Sequence, residues 1–394
     1  MLKRLAVVRE GRALIYIPDP GSSGRGSGFD PSWLPVFYNP VMEFNRDVSV
    51  AALQAYLDLL APRRPIIAVE PLTATGVRPV RYSLEVDGIE AVYAGDIDEA
   101  SARLAKANAS INGVEDKVFV SRSDARELMY RLKKERIPIL FADIDPFGTP
   151  APFVEAAVSI VGRGGLLAVT ATDLAVLEGS KPRTARRRYG VRVHRIPQSK
   201  EVAVRVLLAF IAQRAAMLDK SIRPLLSYYA DHYVRVYVVV DRGAGRADRM
   251  LEEDIGCIVY DEGTGVAALE RGQCDDPGSI QPVWVSNIFD REFTLKCLQL
   301  LAEKYTYLGT YKRSLKLLER ASEEALLGGH VHQRIDAIAS KARVNTPPVN
   351  MVVEGLRRGG FTASRTIFSP SGVRTDADKG ALLDLIVKGQ VEAG

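Results

Sequence analysis

The chain is poor in cysteine. Its 394 residues include only Cys257, Cys274 and Cys297, too few for a disulfide framework and without the CxxC spacing of a zinc site, so no metal is expected. No apolar run approaches the ~18–20 residues that cross a bilayer, and no membrane partner is expected. At the amino-terminal end, Arg9, Glu10 and Arg12 interrupt the stretch that would make a signal peptide. A soluble, cytoplasmic protein is the expectation. No GxGxxG loop follows a strand, and the glycine-rich GSSGRGSG at 21–28 has neither a strand before it nor a GK[ST] after it, so a phosphate-binding nucleotide loop is excluded there. There is no internal repeat. What is present is a composition 47% hydrophobic and 26% charged, which can bury a core and argues against a mainly disordered chain. The length suits two or three domains.

Formal net charge is +5, and the excess is concentrated. Lys181, Arg183, Arg186, Arg187, Arg188, Arg192 and Arg195 lie in KPRTARRRYGVRVHR, which contains no acid. Such a stretch suits a phosphate backbone, or else a solvated loop paired with carboxylates from elsewhere, and charge alone leaves both open.

Residues 5–17 read as two strands around a Glu10-Gly11 turn, and a helix capped by Asn45 runs to about Leu60. From Ile66 the chain alternates. IIAVEP, AVYAGD, KVFVSRSD, PILFADID and GGLLAVTATD read as strands with helices between them, which implies a parallel sheet covered on both faces. After a helix at about Lys200–Leu218, RPLLSYYAD and YVRVYVVVD are too close together for a crossover and should pair antiparallel. Five parallel strands plus a terminal hairpin predict an α/β, Rossmann-like class I methyltransferase sheet of seven strands, not a dehydrogenase sheet. A domain of residues 1–242 is expected, followed by a smaller α+β domain at 243–394. In the latter CIVYDEGTGVAALE is a hairpin, helices cover 291–304 and 312–327, and the end reads as a winged helix.

Ligands of open parallel sheets bind at the carboxyl ends of the strands. Four loops of this chain meet there: EPLTATG, GDIDE, SRSDAR and DIDPFG. The first has one glycine and disfavours a pyrophosphate. Asp96 stands where a carboxylate accepts ribose hydroxyls, and Asp124 with the Ala125 N–H stands where an adenine would lie. An adenosine site without a pyrophosphate site suggests S-adenosylmethionine; a helix cap is the alternative for each aspartate alone. Asp145, Pro146 and Phe147 leave the fourth strand as acid-Pro-aromatic. A carboxylate and a carbonyl accepting from an exocyclic amine, beside a ring that stacks on a base, suit amine methylation with Asp145 as the base.

Taken together, VFYNPVMEFNRD, LTATGVRPVR, FADIDPFGTPAPF, VTATDLAVLEGSKPR, YYADHYVR and SRTIFSPSGVRTD resemble the archaeal form of the tRNA guanine-26 N2-dimethyltransferases, over about Val36 to Asp376. The resemblance implies mono- and dimethylation of the N2 amine of guanine 26 in tRNA. It implies S-adenosylmethionine contacts for Arg46, Arg78, Asp96, Asp124 and Ala125, catalysis by Asp145, and a guanine pocket of Phe37, Phe141, Pro146 and Phe147. Arg183, Arg186, Arg187 and Arg188, with Arg365 and Arg374 in the terminal hairpin, would hold tRNA phosphates. No obligate protein partner is evident. Many members carry a cysteine-rich zinc insertion that this chain lacks, and Glu70-Pro71 replaces their Asp-Ala. Competing readings are an adenine-amine methyltransferase on other nucleic acid and a noncatalytic RNA-binding scaffold; a nicotinamide dehydrogenase comes last.

Overall fold

The computed structural model describes residues 4–19, 34–61 and 65–388. The segment 21–28 and the end of the polar tail lie outside the described residues. The chain separates into two compact units. One comprises 1–146, 152–169 and 296–316; the other comprises 147–151, 170–295 and 317–394. This partition by compactness differs from the functional break expected at residue 242.

In the first unit, β1 (Leu5–Glu10) and β2 (Ala13–Pro18) form the expected hairpin, with Glu10 opposite Ala13. Ala13, Ile15 and Ile17 alternate inward, as a half-buried strand requires. A 3-10 turn at Pro40–Met42 leads into α1 (Glu43–Leu60). Here the structure corrects the expected cap. Asn39 accepts from the Val41 N–H at 3.0 Å, and Pro40 pre-sets the turn, so Asn45 falls inside the helix.

The alternation then runs as expected through β3 (Ile66–Glu70), α2 (Val77–Glu85), β4 (Ile89–Asp96), α3 (Glu99–Ile111), β5 (Val118–Arg122), α4 (Ala125–Lys134), β6 (Ile139–Ile144), α5 (Ala151–Ile160) and β7 (Gly165–Ala171). The segment 296–316 completes this unit from far along the chain. Thr310 donates its N–H to Asp47 at 2.9 Å and its hydroxyl at 2.6 Å, Lys304 pairs with Asp87 at 2.6 Å, and the Tyr305 hydroxyl donates to the Glu85 carbonyl at 2.9 Å.

The second unit contains α6 (Leu174–Leu177), α7 (Pro182–Tyr189), α8 (Ser199–Ala216), β8 (Lys220–Ala230), β9 (Tyr233–Arg242) and α9 (Ala244–Glu253). β8 and β9 pair antiparallel, and one seven-stranded sheet runs β5-β4-β3-β6-β7-β9-β8. The arginine run, read as a loop, is helical. Pro182 sits in the first turn, Ala185 and Tyr189 make a buried i, i+4 pair, and left-handed Gly190 (φ 69°) ends the helix.

Beyond it lie β10 (Ile255–Tyr260), β11 (Ala267–Arg271), β12 (Ile280–Trp284), α10 (Arg291–Glu303) and α11 (Tyr311–Glu324). β10 and β11 form the expected hairpin, with β12 on the other edge of β10. The chain ends in β13 (Gln333–Arg334), α12 (Ile335–Ala342), α13 (Val349–Arg358), β14 (Ala363–Arg365), β15 (Gly372–Thr375) and α14 (Lys379–Lys388). Its small sheet runs β13-β15-β14 over a core that includes Ile338, Val352, Leu356, Val373 and Ile386.

This unit buries an ion network. Glu201 of α8 accepts from Arg205 at 2.8 Å, from both terminal nitrogens of Arg374 at 2.9 Å, and from the His332 N–H at 3.1 Å, while Arg374 Nε donates to Glu324 at 2.8 Å. Arg374 is 0% exposed. The expected tRNA contact for Arg374 is therefore corrected: its guanidinium neutralises two interior carboxylates and reaches no solvent.

Candidate active site

The strand ends bring together polar groups that the core does not need. β3 ends at Glu70, which is 1% exposed, and neither of its carboxyl oxygens has a hydrogen-bond partner of good geometry. Burial, with Asp143 and Asp145 nearby, pushes its carboxyl up to about 8 against the weaker pull of Thr73 and Arg78. The buried hydroxyls of Thr73 and Thr75 are likewise unsatisfied. The loop between them closes tightly. Thr73 donates its N–H to the Gly95 carbonyl at 2.8 Å, and Gly76 (φ 76°) lies where a Cβ would meet the Ala105 backbone at 2.9 Å.

Asp96, ending β4, accepts the Ala74 N–H at 2.8 Å and the Asp98 N–H at 2.9 Å, and burial raises its carboxyl. Ile97 beside it is 69% exposed. Asp124 follows β5 and caps α4, accepting the Arg126 N–H at 2.8 Å. Slight burial raises its carboxyl, but Arg126 and the helix N–H groups outweigh this and hold it low. Ala125 is the first residue of that helix, where backbone N–H groups have no intrahelical acceptor.

Arg78, from the first turn of α2, meets the acid ending β6. Its Nε donates to Asp145 at 2.9 Å, a second nitrogen bonds the same oxygen, and Nη1 lies 3.3 Å from Asp143. The Nη2 that bonds Asp145 also donates to Asn45 at 2.7 Å. Asp143 is fully buried and also accepts from the Tyr82 hydroxyl at 2.5 Å. Arg46 is anchored from the first hairpin: Nε and Nη2 each donate to Glu10 at 2.5 Å, and Nη2 reaches the Asn39 carbonyl at 3.1 Å. Glu10 also accepts from Arg81 at 2.8 Å and from the Tyr38 hydroxyl at 3.0 Å. Burial would raise Glu10, but Arg46 and Arg81 together hold it down at about 2.

Of the expected aromatic residues, Phe147 is 70% exposed and Phe37 is half-buried. Phe141 is 0% exposed, with its ring edge-on to Tyr82 at 5.4 Å. Its expected place beside a base is therefore corrected to the sheet core. Pro146 follows Asp145 directly. On α7, Arg183, Arg186 and Arg187 are exposed, whereas Arg188 pairs with Asp173 at 2.7 Å. Arg365 is half-buried, donating to the Pro370 carbonyl at 3.3 Å.

The profile of the family "N2,N2-dimethylguanosine tRNA methyltransferase" matches residues 29–387. A tRNA (guanine(26)-N(2))-dimethyltransferase of Aeropyrum pernix is 46% identical over 98% of this chain and 97% of its own, and one of Metallosphaera sedula is 37% identical over 97% of each. The chain belongs to the N2,N2-dimethylguanosine tRNA methyltransferase family. The structure of Pyrococcus horikoshii Trm1 in complex with S-adenosyl-L-methionine superposes with a TM-score of 0.85, at 33% identity, covering 98% of this chain and 99% of that one.

Within the family frame, the residues here fit a cationic cofactor. Around one guanidinium, Arg78, stand Asp143, Asp145 and the orphaned Glu70. That surplus of acid is matched by a ligand carrying a sulfonium and an ammonium. Sequence reasoning missed Asp143, Asn45 and Glu10. Asp143 stands in DIDPFG two residues before Asp145, Asn45 reads as a cap, and nothing local ties Glu10 to Arg46. For a metal, the ligand atoms of Cys257, Glu270 and Cys274 lie within 4.8 Å of one another, but the two sulfurs are bonded to each other and Cys297 is buried apart. No helix among the described residues is long and apolar enough to cross a membrane.

Proposed function

We propose that this chain transfers methyl groups from S-adenosylmethionine to the exocyclic N2 of guanine 26 in tRNA, first one and then a second. The observation that carries the reading is the Asp145 carboxylate, fixed at the end of β6 by Arg78 beside the unsatisfied Glu70. The cofactor supplies an electrophilic methyl group on a good leaving group. Asp96 accepts the ribose hydroxyls, and Asp124 with the Ala125 N–H reads the adenine edge. Exposed Ile97 gives the ring an apolar seat. Arg78 and Arg46 face the methionine carboxylate, and Nη1 of Arg46 makes no hydrogen bond among the described residues that would oppose this. Glu70, with its burial-raised carboxyl, answers the ammonium.

An aromatic amine is a weak nucleophile because its lone pair is shared with the ring. Asp145 and the Pro146 carbonyl accept its two N–H groups and so favour the pyramidal nitrogen, whose lone pair is then free to attack. As the N–C bond forms, one proton passes to Asp145. Phe147 stacks on the extruded base and recovers part of the few kcal/mol lost on unstacking. Most of the acceleration comes from alignment and exclusion of water. Residues 1–242 are assigned to the reaction and 243–394 to holding tRNA, with Arg365 of the latter and Arg183, Arg186, Arg187 and Arg188 of the former on phosphates. A cytoplasmic location follows from that substrate.

The test uses purified protein, labelled S-adenosylmethionine and unmodified tRNA transcripts with guanine 26 present or replaced. Label on N2 of that guanine, lost on replacement, is the expected result. Label that ignores the replacement, or sits on adenine, contradicts it.

A further inference from the structure

After β7 the chain bends around a hollow of about 650 Å³, a size within the ~300–1,000 Å³ of small-ligand clefts and larger than a lone phosphate needs. Lys181, Thr184, Arg187 and Arg188 line it from α7 and its approach, and His232 lines it from the turn between β8 and β9. That turn, in YYADHYVR, has no part in the chemistry above. Asp173 is the one carboxylate in the lining, and it is already closed. It accepts from Arg188 at 2.7 Å and from the Tyr189 hydroxyl at 2.8 Å. Lys181 and Arg187 pair with no carboxylate among the described residues, so the hollow keeps uncompensated positive charge.

The hollow is tied to the segment that carries Phe147. Thr172 in its wall exchanges two hydrogen bonds with Gly148: the Gly148 N–H donates to the Thr172 hydroxyl and the Thr172 N–H to the Gly148 carbonyl, each at 2.8 Å. A third link joins the Thr149 and Tyr189 hydroxyls at 2.7 Å, which fixes α7 to the same segment. Phe147 is thus carried by a segment that is bonded to the wall of the hollow and to α7.

We infer that this hollow seats the phosphodiester backbone of the nucleotide step beside the methylated guanine, with Lys181 and Arg187 on the phosphate and Thr184 and His232 donating to its remaining oxygens. The inference rests on the reading that tRNA is the substrate, and adds to it a defined subsite where the arginine run alone offered only diffuse charge. Arg183 and Arg186 do not line the hollow. Their phosphates lie outside this subsite.

The experiment compares the wild type with the full-length Lys181→Gln/Arg187→Gln variant, both side chains being exposed and outside the core. Unfolding midpoint and S-adenosylmethionine affinity are measured alongside. The expected result is tRNA binding weaker by at least about tenfold, with the slope of log affinity against log salt reduced by about one to two. Phosphate-ethylation interference on the tRNA supplies the position. Ethylation within two nucleotides of guanine 26 weakens the wild type and adds no further loss in the variant. Unchanged affinity and slope, or an ethylation penalty that persists in the variant, overturns the subsite. A wild type that binds no tRNA overturns the proposed function itself, and the subsite with it.

Discussion

Two glutamates, each at a carboxyl-rich interior position, have opposite fates in this molecule. Glu201 is fully buried among Arg205, Arg374 and His332, and although burial would raise its carboxyl, Arg374 and Arg205 hold it well below the ordinary range. Glu70 is as deeply buried, yet neither oxygen has a hydrogen bond of good geometry, and burial outweighs the pull of Thr73 and Arg78 and carries its carboxyl up to about 8. Interior acids that serve only the fold are given partners, because an unpaired buried charge is costly. An acid left without one at the ligand-binding edge of a parallel sheet is reserved for something that arrives.

The largest effect expected is at the reaction itself. Asp145→Ala should cut methyl transfer by roughly 10³-fold or more while leaving cofactor affinity within about tenfold. Initial rates with labelled cofactor check this, and full activity would remove the distinction between the two sites. Next comes the satisfied network: Arg374→Ala should lose about 3–5 kcal/mol of stability by leaving Glu324 buried without a cation and Glu201 with Arg205 as its one remaining guanidinium. Denaturant unfolding measures it. A stable variant with weakened tRNA binding would return Arg374 to the RNA surface.

Stability against pH sharpens the contrast, because the two acids act in opposite windows. Between pH 4.5 and about 8 the native state keeps a proton on Glu70 that the unfolded chain has released, so stability falls as pH rises, by up to ~1.4 kcal/mol per unit. Glu70→Gln should flatten that slope. Glu201 is the reverse: its depressed carboxyl stabilises the fold above the unfolded value of 4.5, and that contribution is lost as pH falls below it. Thermal unfolding of wild type and variant reads the Glu70 slope between pH 5 and 9, and the Glu201 loss on continuing into acid below pH 4.5. The smallest effect is at Arg46, which stands between the two classes, bonded to Glu10 yet proposed to face the methionine carboxylate. Arg46→Gln should weaken cofactor binding about tenfold, or ~1.4 kcal/mol. Calorimetry showing unchanged affinity with lowered stability would place it wholly with the structural set.

How much of this was legible depended on range. Period-two and helical patterning gave the alternating strands, the terminal hairpin and the β10–β11 turn, because those are local rules. The DIDPFG acid and the strand-end aspartates were found by position along the sheet. The partnerships were not. Arg46 with Glu10 and Arg374 with Glu201 join residues far apart in sequence, and no spacing announces them. Phe141 shows the same limit from the other side. Its motif placed it near the base, but burial on both faces of a central strand turned the ring to Tyr82. The arginine run failed as a loop because its charges hid a buried Ala185–Tyr189 stripe.

The return of segment 296–316 to the first unit has a consequence for how the protein is made. Asp47 and Asp87, both near the amino-terminal end, take hydrogen bonds or ion pairs from Thr310 and Lys304. During vectorial synthesis the ribosome must therefore deliver more than three-quarters of the polypeptide before the unit holding Asp145 can close. Until then its half-built surface is exposed to aggregation and to chaperones, and a gene fragment ending after β9 would lack the segment that closes the unit.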